Sequence, residues 1–134
     1  MLKTLTVDTN STSEFIDITA RLAELVTESG IVDGVCYVYV PHTTAGITIN
    51  ENYDPAVARD IEATLSQLVP DLGDYLHEEG NSAAHIKATL VGSTTTLLVS
   101  NGSLSLGRWQ GVYLCEFDGP RTRQIQVRIV GLPY

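Results

Sequence analysis

Basic residues are scarce in this 134-residue chain: eight Lys and Arg stand against sixteen Asp and Glu, a formal net charge of −8. A general nucleic-acid binder needs clustered cations to meet phosphates, so the shortage argues against that class. A small anionic ligand is still possible, because a few local donors outweigh a weak global field. The acids are spread along the chain and read as a solubility device. Cysteine is equally sparse. Cys36 and Cys115 lie far apart in β-like apolar runs, and they read as small buried hydrophobes in a reducing cytoplasm rather than as a disulfide. Two thiolates alone also make a poor zinc site. No apolar run approaches the ~18 residues that suggest a membrane span. Met1-Leu2-Lys3-Thr4 alternates like a strand and has neither the apolar core nor the cleavage site of a signal peptide. Repeats, linkers and low-complexity tracts are lacking too. The expectation is a cytoplasmic chain with no nucleic-acid or membrane partner, folded over residues 1–134 as one domain. It is too short for a (β/α)₈ barrel, which needs roughly 200 residues or more.

What is present is periodicity. Leu2 to Val7 alternates as a strand, and Glu14 to Ile18 reads as a second. Thr19 is placed to cap a helix over Ala20 to Ser29, with Leu22, Leu25 and Val26 as its buried stripe and Gly30 as its stop. Val35 to Val40 and Gly46 to Asn50 read as strands. Asp54 and Pro55 open the clearest helix, whose Val57, Ile61, Leu65 and Leu68 share one face until Pro70. A polar loop follows to Gly80, then a short helix capped by Asn81 or Ser82 and running through Ala88. Thr94 to Ser100 is a strand. Trp109 to Phe117 alternates, and so do Ile125, Val127 and Ile129 beyond Asp118-Gly119-Pro120-Arg121, so the C-terminus reads as a hairpin. Strands in hairpin order with two or three helices between them predict an α+β domain with mainly antiparallel sheet.

Four motifs can carry chemistry. Pro41-His42-Thr43-Thr44-Ala45-Gly46 joins two strands and offers a titratable ring, two hydroxyls and close backbone approach, or simply a turn whose threonines satisfy local backbone. Asn50-Glu51-Asn52-Tyr53-Asp54 sets a carboxylate beside an amide. His77-Glu78-Glu79-Gly80-Asn81-Ser82-Ala83-Ala84-His85 has histidines eight apart, which is not a zinc-finger or H-E-x-x-H spacing. Its helix start near Asn81 to Ala83 presents free N–H groups suited to phosphate. Leu106-Gly107-Arg108-Trp109-Gln110-Gly111 leads to Glu116, which needs a partner if its apolar strand buries it. Arg108 and Arg121 can clamp an anion or pair with surface acids. All three histidines lie at element ends, where sites are usually built, and the expectation is that they share one.

These segments, His42 to Asn52, His85 to Gly92, Leu106 to Gln110 and Glu116 to Arg121, together resemble the YjbQ family, many of whose members are called secondary thiamine-phosphate synthases. The resemblance spans nearly the whole chain. It implies a compact, sandwich-like α+β fold, a homotrimer, and a weak or secondary transferase activity that joins a pyrimidine diphosphate to a thiazole phosphate. It also implies a metal- or anion-binding site around the histidines. One departure is Ala83, at a position that is polar, often Asp, in many members. On this reading His42, His77 and His85 hold a divalent metal, zinc for instance, since three imidazoles with an open fourth position form a known catalytic arrangement. The same histidines with Glu51 and Glu116 form the catalytic set. Thr43, Thr44, Asn52, Asn81, Ser82, Arg108, Gln110 and Arg121 receive a small phosphorylated metabolite. The alternatives are a metal-dependent hydrolase using the same histidines and a non-catalytic protein that binds such a metabolite.

Overall fold

The computed structural model describes residues 2–132; Met1, part of the N-terminal strand reading, lies outside them. In chain order the elements are β1 (Leu2–Asp8), β2 (Glu14–Asp17), α1 (Thr19–Ser29), β3 (Gly34–Tyr39), β4 (Ala45–Glu51), α2 (Pro55–Leu68), α3 (Ser82–Val91), β5 (Thr94–Ser100), β6 (Ser103–Ser105), β7 (Gln110–Glu116) and β8 (Thr122–Gly131). Every strand pair is antiparallel. Five strands form one sheet in the order β1-β8-β3-β5-β6, and three form a second in the order β2-β7-β4. This is the expected α+β class.

Period-2 alternation places one apolar set per strand between the two sheets. Cys36 and Val38 of β3, Leu97 and Val99 of β5, and Ile125 and Val127 of β8 face Ile47 of β4 and Val112 and Leu114 of β7. Leu22 and Val26 of α1 complete that core, with Leu25 packed on it. Withdrawing each such side chain from water contributes on the order of 1.5–3 kcal/mol. Tyr113 and Cys115 on the other face of β7, with Phe117 just beyond its end, pack under Ala58 and Leu65 of α2 and Ala84 and Ala88 of α3. The layers therefore run from α2 and α3 to the small sheet to the large sheet, with α1 closing the core between the sheets, and the outer face of the large sheet leaves Tyr37, Tyr39, Leu98 and Val130 exposed.

Three local expectations need correction, and one short strand carries no signal in the sequence. Thr19 lies inside α1, and Ile18 takes the cap position. The Thr19 hydroxyl instead accepts the Val112 N–H at 2.8 Å and ties the helix to β7. Asp54 does cap α2, accepting the Ala56 N–H at 2.9 Å, but Val57, Ile61 and Leu65 are only half-buried and Leu68 is exposed. The short strand β6 has too few residues to show a period. Finally, the C-terminal hairpin does not form. β7 pairs with β2 and β4, whereas β8 pairs with β1 and β3. The segment Asp118 to Arg121, which includes a cis Gly119–Pro120 bond, carries the chain from one sheet to the other. Both strands have an apolar face, and both faces turn to one core from opposite sides. Alternation alone does not distinguish that from pairing side by side.

Candidate functional site

Where β7 ends and β8 begins, the two inward faces each finish on a charge. Glu116 continues the Val112 and Leu114 set, and Arg123 precedes Ile125 and Val127; the two are 0% and 3% exposed. They form an ion pair between the sheets. Arg123 Nε donates to Glu116 Oε1 at 2.8 Å and Nη2 donates to Oε2. Thr9 Oγ1 donates to Oε1 at 2.7 Å, and the Phe117 and Asp118 amides donate to Oε2 at 3.0 and 3.1 Å. Burial alone would raise the Glu116 carboxyl. The bonds from Arg123, Thr9 and the Asp118 amide outweigh it and hold the group below the usual glutamate range. The partner that a buried Glu116 demanded is thus Arg123, a residue the motif reading passed over. The available signal was its phase: a cation in the inward set of β8, facing an anion in the inward set of β7.

Arg123 also donates through Nη2 to the carbonyl and the hydroxyl of Thr44, at 3.2 and 2.8 Å. That fixes the loop from β3 to β4 and with it His42. The loop, the Asp118–Arg121 crossover and the start of α3 enclose an open cleft of about 470 Å³. His42, Thr43, His77, Asn81, His85 and Arg121 line it, with Arg123 at its base. The rings of His77 and His85 meet edge to face, their centroids 5.3 Å apart. Asn81 Nδ2 donates to Asp118 Oδ2 at 3.0 Å, and Arg121 Nη2 donates to the same oxygen at 2.9 Å. Burial would raise the Asp118 carboxyl, but these bonds from Asn81 and Arg121 hold it low. Asn81 Oδ1 is buried without a partner, the one such side-chain atom among the described residues.

The three histidines are therefore brought to one cleft, as expected. Thr43, Asn81 and Arg121 join them, and Ser82 lies on an adjoining depression with His77 and His85. Two residues at the cleft have their chemistry already committed. Thr44 lines the cleft but is buried, and its hydroxyl accepts from Arg123, which leaves only its own O–H to offer. Glu116 is sealed and saturated with donors, so it is not a mobile base. No three His, Cys, Asp or Glu side chains among the described residues stand together closely enough to hold a metal ion.

Four expected members lie elsewhere. β4 and β7 run antiparallel with Ala45 opposite Glu116 and Glu51 opposite Gln110. Six residue steps at ~3.3 Å separate the two ends of this pair by about 20 Å. Glu51, Asn52, Arg108 and Gln110 occupy the far end. Arg108 stacks over Trp109 at 4.8 Å, and Tyr53 meets Trp109 edge to face at 5.0 Å. Gln110 Oε1 accepts the Gly107 N–H, Asn52 Nδ2 donates to Asp17, and the Glu51 carboxylate accepts the Asp54 N–H. A clamp made of Arg108 with Asn81 and Ser82 is thus not formed within one chain.

Fold and cleft together define a class: a small three-layer α+β sandwich with a polar histidine–arginine cleft where the chain crosses between its sheets. The chain belongs to the YjbQ family. The family's model, described as UPF0047 protein YjbQ-like, matches residues 3–132. A UPF0047 protein of Methanocaldococcus jannaschii is 49% identical over 98% of this chain and 95% of its own. UPF0047 protein YugU of Bacillus subtilis is 48% identical over 98% and 100%. Among solved structures, a YjbQ/UPF0047 family protein of Clostridium acetobutylicum superposes with a TM-score of 0.94 at 52% identity, covering 96% of this chain and 99% of that one. A YbjQ-like protein of Sulfolobus solfataricus gives 0.94 at 33%, covering 98% and 97%. No helix among the described residues is long and apolar enough to cross a membrane.

Proposed function

We propose that the protein is an enzyme for a small phosphorylated metabolite, acting at the His42–His77–His85 cleft by group transfer. The convergence of three imidazoles, Thr43, Arg121 and Arg123 on one opening of small-molecule size carries this reading. Asn81, at the start of α3, lines the same opening, and a helix start favours phosphate oxygens. The reaction proposed is of the thiamine-phosphate synthase type. A ring nitrogen of the thiazole phosphate attacks the methylene carbon of the pyrimidine diphosphate. The carbon–oxygen bond breaks, and its electron pair leaves with pyrophosphate. In such a step the protein orients both partners and neutralises the charge growing on the leaving oxygens.

Each cleft arginine already faces a carboxylate, Arg121 with Asp118 and Arg123 with Glu116. The anion is then held by directed hydrogen bonds more than by net charge, which favours modest affinity and a weak or secondary activity. A divalent ion such as zinc would supply further charge neutralisation, but the three imidazoles do not converge on one point.

The test is incubation with both precursors and detection of thiamine phosphate, beside generic phosphate esters and binding measurements. Product that falls at least tenfold in Arg121→Ala and His77→Ala supports the transferase. Ester hydrolysis without coupling would replace it by the hydrolase, and binding without turnover by the binding protein. Assembly as a homotrimer is proposed as well. The exposed tyrosines and apolar residues on the outer face of the large sheet give it a surface, and a sedimentation mass near that of one 14.5 kDa chain would reject it.

A further inference from the structure

The way His42 is held determines which of its nitrogens a ligand can meet. β3 pairs with β8 as far as Tyr39 opposite Gln126, after which Pro41 turns the chain away. On β8 the next amide toward that side, the N–H of Gln124, donates to His42 Nε2 at 3.0 Å. The imidazole stands where a backbone carbonyl would have continued the ladder. An N–H can donate only to a lone pair, so Nε2 carries no proton, and a neutral ring then carries its proton on Nδ1. A doubly protonated ring would set N–H against N–H, and turning the ring over would place a carbon against the amide. Nδ1 makes no hydrogen bond to the described residues, and it is not among the atoms closed off from solvent.

We propose that His42 acts as a neutral hydrogen-bond donor through Nδ1–H, offered to an acceptor oxygen of the bound ligand, and is neither a general base nor a metal ligand. The identity of that oxygen as a phosphoryl oxygen rests on the function proposed above; the tautomer does not. Both rival roles need a lone pair directed into the cleft, and the only one on this ring is spent on Gln124. Burial, then the guanidinium of Arg123, holds the ring below the ordinary histidine range. A neutral imidazole donating to an oxygen that gains charge is a recognised catalytic device. It also accounts for the missing three-histidine centre, since only His77 and His85 keep uncommitted lone pairs.

The experiment is a long-range proton–nitrogen correlation on uniformly ¹⁵N-labelled full-length protein near pH 7, with His42→Gln assigning the signals. His42 should appear as the Nδ1–H tautomer with an unprotonated Nε2. The opposite tautomer, or a charged ring, overturns the proposal. Inorganic phosphate is then titrated in. It should shift Nδ1–H without changing the tautomer, and His42→Gln, whose Oε1 can still accept the Gln124 amide, should weaken phosphate binding roughly tenfold. Equal affinity in variant and wild type overturns the donor role. Phosphate binding to neither protein overturns the phosphate reading of the cleft and, with it, the assigned oxygen, whereas the tautomer result is independent of that reading.

Discussion

Removing one half of the buried ion pair should cost as much as the large apolar truncations in the same core. In Arg123→Met the stem stays in the core, but Glu116 loses two charged donors while it is 0% exposed. Thr9 and two amides remain to it, and the Thr44 carbonyl and hydroxyl each lose a donor. Breaking a buried pair from one side costs about 3–5 kcal/mol. In a chain of this size that corresponds to a fall in Tm of roughly 10–20 °C. Urea unfolding at fixed protein concentration measures it, at pH 7 and again at pH 4. The folded-state pKa of Glu116 lies below its usual value, so its contribution is present above about 4.5, the ordinary glutamate pKa, and fades as pH falls through the folded value. The gap between wild type and Arg123→Met should therefore narrow at pH 4. Glu116→Leu combined with Arg123→Met should be less destabilised than the two single variants added together, since no charge is then left alone. A loss under 1 kcal/mol in Arg123→Met at pH 7, or a gap that widens toward pH 4, would refute the account of the pair.

Gly46→Ala should destabilise by about 1–3 kcal/mol, the range for overpacking, because its Cβ would lie 2.8 Å from the Gly92 carbonyl and 3.0 Å from Val91 Cγ1, pushing α3 off β4; thermal unfolding measures this, and an unchanged Tm counts against that packing. Asp54→Ala removes the one side-chain cap of α2 and should cost ~1 kcal/mol by denaturant titration. His42 is held below its usual pKa in the folded chain, so its neutral form contributes stability above about 6.5, lost as pH falls through the folded value. His42→Gln should flatten the pH dependence of stability between pH 7 and 5, and an unchanged slope would count against the assignment. After dialysis against trace zinc, elemental analysis should find less than one zinc per chain, since no three ligands stand together; stoichiometric zinc that disappears in His85→Ala would reverse that reading.

Features that depend only on neighbours along the chain were legible in the residues themselves. Alternation in β3, β7 and β8 named the residues that share a face, and Asp54-Pro55 marked a helix start whose cap and first turn need nothing distant. The grouping of the three histidines in one cleft was legible, and the four ordered motifs carried the family. Tertiary structure decided every question of which face meets which. A period of two says that Val112, Leu114 and Glu116 point one way, but not whether Arg123, Ile125 and Val127 lie beside them in one sheet or across from them in another. That choice depends on the pairing of β8 with β1 and β3, strands far away in sequence, and it turned an expected hairpin into a crossover. It also made Glu116 and Arg123 partners through the core. Likewise, nearness of motifs in sequence is not nearness in space. An extended strand advances ~3.3 Å per residue, so the length of β4 carries Glu51 to the far end from His42 even though only nine positions separate them, and α3 returns His85 to the cleft from more than forty positions away.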